Sequence, residues 1–581
     1  MKKEDKILVI DARLRPNART KSLLKKSSVI SVVKSASLRR EWINRADSEL
    51  SVEDITRQIN EQATNLRQDF EKALETIANY KNLFWHATRT AEKNTLINPL
   101  FEDAILVHLI LSHNFQKPNK VLVTDNPELI LFFKDIKDRF KIKYWLKVKL
   151  KPFFRQIEIQ MLFILWFCGN RMASLLLPRI HSEILIHTFL DSETMKSSKY
   201  RERYFPDLKE FYEERNISVS HLVSGAGNYP LRIFRTMNLQ GFRVFNEFKI
   251  YETRDLFFII STVSKLRKLN AKSFMVGGIE LRKLIFIIHL QFGLDLDVYK
   301  HILRFRLGQR LGGIPNAPKV LVTEFEGMIP EKMLNAGIHS STAKLKTFGY
   351  QHGAMFENQL CNYPTQREID LGLVSDKIVC NGEIFRQLMK SRGIPDKMLE
   401  VGSALRLKYL HQNLNSNNNP SQKDLLVLLP MPMPDCLELI GVVEEAISDL
   451  NLQAAFKPHP MHDILLLAEH LNLKKHSIVN GMLEDLIFDY KVIAGMTTGA
   501  LLEAGLLGLN VIRIQRQLSL DFDSTFMNPE IRIQVNNSKE FRFALTQFSK
   551  KSFEGNNRSA LLLKNEYFAS ITPEGMNAFL P

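Results

Sequence analysis

The chain has 581 residues, long enough for two sizeable cores, and its 45% hydrophobic and 24% charged content excludes a disordered or fibrous protein. Lysine and arginine outnumber the acids 79 to 63, a formal charge of +16, which points to a polyanionic partner: nucleic acid, anionic lipid or a phosphorylated substrate. Cys168, Cys361, Cys380 and Cys436 show no CxxC or zinc spacing and are too scattered for a disulfide framework, so a reducing compartment is expected.

The first apolar run, Lys6–Ile10, ends at Asp11 after a few residues and reads as a strand rather than a secretory signal, which places the expected work on the cytoplasmic side. Ser51–Tyr80 shows helical periodicity with many Gln, Glu and Arg and reads as a solvated helix. Val121–Thr124, Ile184–Thr188 and Ser218–Val223 read as successive buried strands, each followed by polar turn residues and a helical pattern, the alternation of a parallel sheet. Their following loops, Asp191-Ser192 and Ser224-Gly225-Ala226-Gly227, would then face one crevice; the glycines there are too few to mark a nucleotide site.

Arg139–Leu177 interrupts this alternation. Every charge from Arg139 to Arg155 is positive, and an apolar run of about 17 residues follows that carries Asn170 and Arg171, too short and too charged to span a bilayer. The segment predicts a patch that lies on an anionic membrane, with Lys141, Lys143, Lys147, Lys149 and Lys151 at the headgroups and Trp145 and Trp166 at the interface. A basic surface helix beside a core helix, or a stack on single-stranded nucleic acid, would use the same residues; the adjoining apolar run favours lipid, and no nucleic acid is expected. Phe257–Leu311 is a second amphipathic region that would enlarge this surface. Asp295-Leu296-Asp297 within it, and Asp521-Phe522-Asp523 later, imitate an Asp-x-Asp metal motif but do not follow strands, and no metal or cofactor is expected.

Four strand–turn units then carry titratable side chains. Lys319–Phe325 leads into Glu326-Gly327, and Leu345–Tyr350 into Gln351-His352-Gly353, each with a glycine that lets a ligand approach the backbone. After an Asn-rich linker at Asn413–Gln422, Leu425–Leu429 opens a second sheet, with the turn Pro430–Pro434 bordering its crevice. Leu452–Phe456 leads into Lys457-Pro458-His459-Pro460, a stiff turn whose prolines hold one imidazole at the carboxyl end of a strand, where it can donate to a departing phosphate beside a lysine. Tyr490–Gly495 leads into Met496-Thr497-Thr498-Gly499 and a helix, where backbone N–H groups and two hydroxyls suit a phosphate. Glu503 either faces the crevice, accepting from ribose hydroxyls, or sits on a solvated face.

The runs TEFEGMIPEKMLNAG, TFGYQHGAMFENQLCNY, VGSALR, KPHP and TTGALLEAGLLG together resemble bacterial surface-carbohydrate transferases of O-antigen and capsule biosynthesis, which have the glycosyltransferase B (GT-B) fold, and the upstream run from His187 to Val223 looks like their N-terminal half. The likeness extends from about Phe84 onward and, more distantly, to sialyltransferases and ulosonic-acid transferases. Two departures stand out: Pro330 replaces the family's tryptophan before Glu331, and Thr497-Thr498 replace paired serines.

The resemblance implies an α/β fold of GT-B type: two Rossmann-like domains facing a crevice, with a membrane-associating helical insertion. Residues 1–402 would form the acceptor domain, with the insertion at about 136–180; 403–540 would form the nucleotide-sugar domain, and 541–581 would be helices packing back. The implied activity is glycosyl transfer without a metal, from a nucleotide-sugar donor such as a CMP-activated ulosonic acid, to a lipid-linked saccharide at the cytoplasmic face of the bacterial inner membrane. Glu326 would be the general base, His459 would stabilise the leaving nucleotide, and Glu331 would orient the acid–base pair. Lys457, Thr497, Thr498, Glu503, Gln351, His352, Gly353 and Ser403 would contact the donor. A CDP-glycerol-type polyol-phosphate transferase and a catalytically inert membrane-bound assembly protein are the alternatives.

Overall fold

The computed structural model describes strands at 6–11, 27–32, 53–54, 119–123 and 141–142, and residues 58–77, 82–112, 154–178, 181–190, 202–225, 230–266, 273–292, 295–412, 423–459, 471–550 and 562–581, without positions 239, 343, 451, 517 and 518 and with the single residues 129, 132, 200 and 468. The linker 413–422, the loop 191–199, the turn 226–229 and Lys143, Trp145, Lys147, Lys149 and Lys151 lie outside the described residues.

The fold is mixed α/β, built on three parallel sheets. The first comprises β1 (Lys6–Asp11), β2 (Ser27–Val32), β3 (Glu53–Asp54), β4 (Asn119–Val123) and β5 (Lys141–Ile142) in the order β3-β2-β1-β4-β5. The second comprises β6 (Ile184–Leu190), β7 (Val219–Gly225), β8 (Val244–Phe245), β11 (Val320–Glu324), β12 (Lys346–Gln351), β13 (Lys377–Cys380) and β14 (Leu399–Val401), ordered β14-β13-β12-β11-β6-β7-β8. A small antiparallel hairpin, β9 (Met275–Val276) with β10 (Ile279–Glu280), stands apart. The third comprises β15 (Lys423–Leu428), β16 (Ala454–Lys457), β17 (Ser477–Ile478), β18 (Tyr490–Gly495), β19 (Asn510–Ile514) and β20 (Ile533–Val535), ordered β17-β16-β15-β18-β19-β20.

Central strands such as Val320-Leu321-Val322 and Leu425-Leu426-Val427 are unbroken aliphatic runs because helices cover both faces of a parallel sheet, and all six residues are fully buried. The strands expected to share one sheet are parallel but divided: β4 belongs to the first sheet, β6 and β7 to the second. The division falls at the basic and apolar segment, whose helix, Phe154–Leu175, intervenes between β5 and β6.

That helix corrects two expectations. Lys141 lies in the short edge strand β5 rather than in an interfacial helix. Trp166 points inward, edge-on to Phe248 at 5.5 Å with the Lys300 ammonium 5.7 Å from its ring centre, because it shares the helix face of the core residues Phe163 and Phe167. Among the described residues no helix is long and apolar enough to cross a membrane.

The amphipathic region Phe257–Leu311 is also largely core. Its helix Leu296–Leu311 buries Val298, Tyr299, Ile302, Leu303, Phe305, Leu307 and Leu311, and Asp295 caps it by accepting from the Asp297 and Val298 N–H groups. Gly308 meets Gly337 of the helix Ile329–His339 so closely that a Cβ on Gly337 would lie 2.0 Å from the Phe305 carbonyl oxygen. This backbone-to-backbone contact fixes the helix that follows the Glu326-Gly327 turn. The chain end packs on the second sheet: Met576, Ala578 and Phe579 join Ile184, Val320 and Tyr350, and the Tyr212 hydroxyl donates to the Phe579 carbonyl at 2.6 Å.

Candidate active site

Strands of a parallel sheet end at one edge, and residues just past those ends converge on a crevice. The carboxyl ends of β11 and β12 on one side and of β16 and β18 on the other border a single cavity of about 1480 Å³ between the second and third sheets. A typical small-molecule pocket holds roughly 300–1,000 Å³, so this one has room for a donor and part of an acceptor. Its walls include Glu326, Gln351, His352, Gly353, Lys457, His459, Thr497, Thr498 and Glu503. Glu331 and Ser403 are not among its lining residues.

On the wall of the second sheet, β11 ends at Glu324 and turns through Glu326 and Gly327. Gly327 has φ +64°, and a Cβ there would sit 1.9 Å from the Cys361 carbonyl oxygen, so both backbone conformation and space require glycine. Glu331, in the first turn of the next helix, reaches back so that its Oε2 accepts the N–H groups of Glu326 at 3.1 Å and Gly327 at 2.9 Å. Its carboxyl is only 7% exposed, and burial pushes its pKa up to about 8. Glu331, expected to orient the acid–base pair, thus fixes the turn that carries Glu326.

The Glu326 side chain is 43% exposed, and its Oε1 accepts from His352 Nε2 at 2.9 Å. The other imidazole nitrogen, Nδ1, lies 3.1 Å from the Arg406 guanidinium, which can only donate; Nε2 therefore carries the proton shared with Glu326. The Tyr204 ring meets His352 edge-on at 4.9 Å. Burial alone would raise the Glu326 pKa, but the hydrogen bond from His352 and the charge of Arg406 outweigh it and hold this carboxyl below its ordinary value. Glu326 is thus an ionised, oriented acceptor. Gln351 secures the turn, donating to the Gly353 carbonyl and accepting from the Asn381 N–H at 3.0 Å.

Glu324, the last residue of β11, is an unanticipated neighbour of Glu326 and His352, although it is not itself a lining residue of the cavity. Its Oε1 is sealed from solvent with no hydrogen-bond partner among the described residues, and its pKa is pushed far up by burial and then by the charges of Glu326, Glu202 and Glu331, against Arg406. The ligand atoms of Glu324, Glu326 and His352 lie within 4.8 Å of one another. Both nitrogens of His352 are already engaged and Arg406 adds a positive charge, so the hydrogen-bonded chain runs from Arg406 through His352 to Glu326, with the Glu324 carboxyl beside it but not part of it.

On the wall of the third sheet, Lys457 ends β16 and Pro458 and His459 follow it, while Met431 and Pro432 follow β15. The Thr497 hydroxyl is buried with no partner among the described residues. The Thr498 hydroxyl accepts the Ala500 N–H at 3.3 Å at the start of the helix Ala500–Leu506, and its carbonyl accepts from Ser524 at 2.9 Å. Glu503 faces the crevice, where the Tyr409 hydroxyl from the opposite wall donates to it, and burial raises its pKa.

Ser403, expected at the donor, is fully buried; its hydroxyl accepts the Thr572 N–H at 3.3 Å and anchors the chain end. Asp521 and Asp523 are consumed by ion pairs with Arg513 and Arg532; in the other Asp-x-Asp run Asp295 caps its helix, and the exposed Asp297 pairs with Lys300 at 3.2 Å. Tyr204, Arg406, Tyr409 and Glu324 escaped the reading of single motifs. Glu324 had a signal: in an extended chain, residues two apart point the same way, which pairs it with Glu326.

No family model matches the chain, and no curated protein matches it. Several solved structures are similar in shape. The UDP-GlcNAc 2-epimerase of Neisseria meningitidis, bound to UDP-GlcNAc, is 11% identical over 68% of this chain and 96% of its own, with a TM-score of 0.39. The wall teichoic acid polymerase TagF is 9% identical over 75% of this chain and 96% of its own, at 0.37. Anabaena Alr3699/HepE, in complex with UDP and glucose, is 10% identical over 67% of this chain and 96% of its own, at 0.35. Similarity at this level assigns no residue a role.

Proposed function

We propose that the protein is a transferase of GT-B type that moves a glycosyl group from a nucleotide-activated sugar to an acceptor hydroxyl. The observation that carries this reading is the pairing, across one cavity, of an ionised and oriented carboxylate with a wall suited to phosphate: Glu326 bonded to His352 on one side, and on the other Lys457, His459 and the Thr497 hydroxyl, which has no partner among the described residues. The Glu326 carboxylate takes the proton from the acceptor oxygen as that oxygen attacks the anomeric carbon, while His352 and Arg406 hold the carboxylate in place. Lys457, His459 and Thr497 bind the phosphate that leaves with the nucleotide and stabilise its growing charge. A CMP-activated ulosonic acid as donor and a lipid-linked saccharide as acceptor are the substrates favoured by the sequence resemblance, which also favours O-antigen or capsule synthesis.

One observation favours a second reading, transfer of a polyol phosphate: the Arg406 cation beside the base would neutralise a phosphoryl group in flight. Incubation with labelled nucleotide sugars and with CDP-glycerol, followed by product analysis, tests both. A glycosidic product that disappears in Glu326→Gln supports the first reading; a phosphodiester product supports the second, and no product from either donor set counts against both.

A further inference from the structure

The helix Phe154–Leu175 has two apolar sides. One packs inward through Ile159, Phe163 and Phe167. The other is turned to solvent: Met161, Leu162, Leu165, Met172, Leu175 and the following Leu176 are all exposed, Leu165 at 64%, Met172 at 70% and Leu176 at 77%. At 100° per residue these six fall on one continuous stripe opposite the buried one. From Glu158 to Arg171 the helix carries no charge between those two residues, so nothing polar interrupts the stripe. The exposed run from Met161 to Leu176 is about 22 Å long at 1.5 Å per residue. A side that faced only water would be polar, and contiguous exposed apolar surface of this kind marks an interaction site.

Charge identifies the occupant. Immediately before the stripe, Arg139–Arg155 contains seven lysines and arginines and no acid. The helix Pro230–Asn238, which packs beside Phe154–Leu175, also turns Leu231 and Arg235 to solvent. An apolar stripe preceded in the sequence by cations, with Arg235 exposed on the helix beside it, complements the acyl region and headgroups of an anionic bilayer.

We infer that this outer stripe of Phe154–Leu175 is a membrane-docking face, on which the helix lies in the plane of an anionic phospholipid surface without crossing it. The residues that enter the lipid are Met161, Leu165 and Met172 with their neighbours, while the half-buried Trp166 stays packed against Phe248. The inference is independent of which group the crevice transfers.

Cys168 lies on the same stripe and is exposed, whereas Cys361, Cys380 and Cys436 are buried, so a thiol-reactive environment-sensitive fluorophore reports from this face selectively. The full chain is mixed with phosphatidylcholine vesicles with and without phosphatidylglycerol, and co-sedimentation and probe emission are read. The expected result is binding to the anionic vesicles only, with a blue shift at Cys168. A double variant Leu165→Asp/Met172→Asp, whose sites are exposed and whose melting temperature is therefore preserved, should lose at least tenfold in vesicle partitioning. Binding without a probe shift, or undiminished in the double variant, would assign attachment to the basic segment alone and overturn the proposal. So would failure to bind vesicles together with a concentration-dependent dimer that the double variant abolishes, which would make the face a self-association surface.

Discussion

Replacing Glu331 with glutamine isolates the cost of keeping one buried carboxyl protonated. In the fold, Glu331 accepts two backbone N–H groups of the Glu326-Gly327 turn, and burial raises its pKa from 4.5 to about 8. Between those values the native state holds a proton that the unfolded chain has released. Its contribution to stability is therefore fully present below about pH 4.5 and is lost as pH rises toward 8. At about 1.4 kcal/mol per pH unit, the window of roughly 3.5 units corresponds to an upper limit on the order of 5 kcal/mol. Glutamine keeps a carbonyl that can accept both N–H groups and has no proton to lose. Glu331→Gln should match the wild type near pH 4.5 and exceed it increasingly up to pH 8 in melting temperature or urea midpoint. Its activity should stay within a few-fold, because the turn is preserved. Parallel stability curves across pH 5–8.5 would mean that Glu331 is ionised in the fold and would refute the reasoning. Glu331→Ala is the contrasting case: it leaves two buried donors unsatisfied, at about 1–3 kcal/mol each, and should impair turnover together with stability.

Three further outcomes are expected. Glu326→Gln should lower kcat about 10²–10⁴-fold, the usual range for a general base, with nucleotide affinity retained in a binding assay. In a pH–rate profile, His352→Ala should move the acid limb upward, because the imidazole and its hydrogen bond are what hold Glu326 below its ordinary pKa; an unmoved limb would remove Glu326 from the role of base. Gly327→Ala should destabilise the protein and abolish activity, since its Cβ would collide with the Cys361 carbonyl at 1.9 Å in a left-handed backbone conformation; a wild-type melting temperature and rate would contradict the tight turn.

The crevice was legible in the sequence to the extent that it follows strand ends. Glu326, His352, Lys457, His459 and Thr497 each sit within a few residues of a strand's carboxyl terminus, and a parallel sheet delivers such residues to one edge whatever the intervening helices do. Groups that complete the site from elsewhere were not legible. Tyr204 comes from a segment held by Glu202, whose carboxylate accepts the Tyr204 N–H at 3.0 Å, and Arg406 and Tyr409 come from the 3₁₀ turns after β14, where no periodic pattern points at a cavity. Ser403 was misplaced because nothing local announces that the chain end, more than 160 residues later, covers it. The direction of Trp166 failed for a related reason: on a helix apolar on both sides, composition cannot tell which side the core takes, and only the packing against Phe248 decides it. The division of the early strands into two sheets is equally non-local, because β4 and β6 look alike as aliphatic runs and differ only in their partners.

The central claim is that the crevice holds an activated nucleotide against the wall formed by Lys457, His459 and Thr497. Thermal shift with CMP, CDP, UDP and GDP, using cytidine and uridine as phosphate-free controls and His459→Ala as the variant, tests it most directly. At least one nucleotide should stabilise the wild type, its nucleoside should not, and His459→Ala should lose the response while keeping its own melting temperature. Stabilisation by none of the four, or an equal response in His459→Ala, would contradict it.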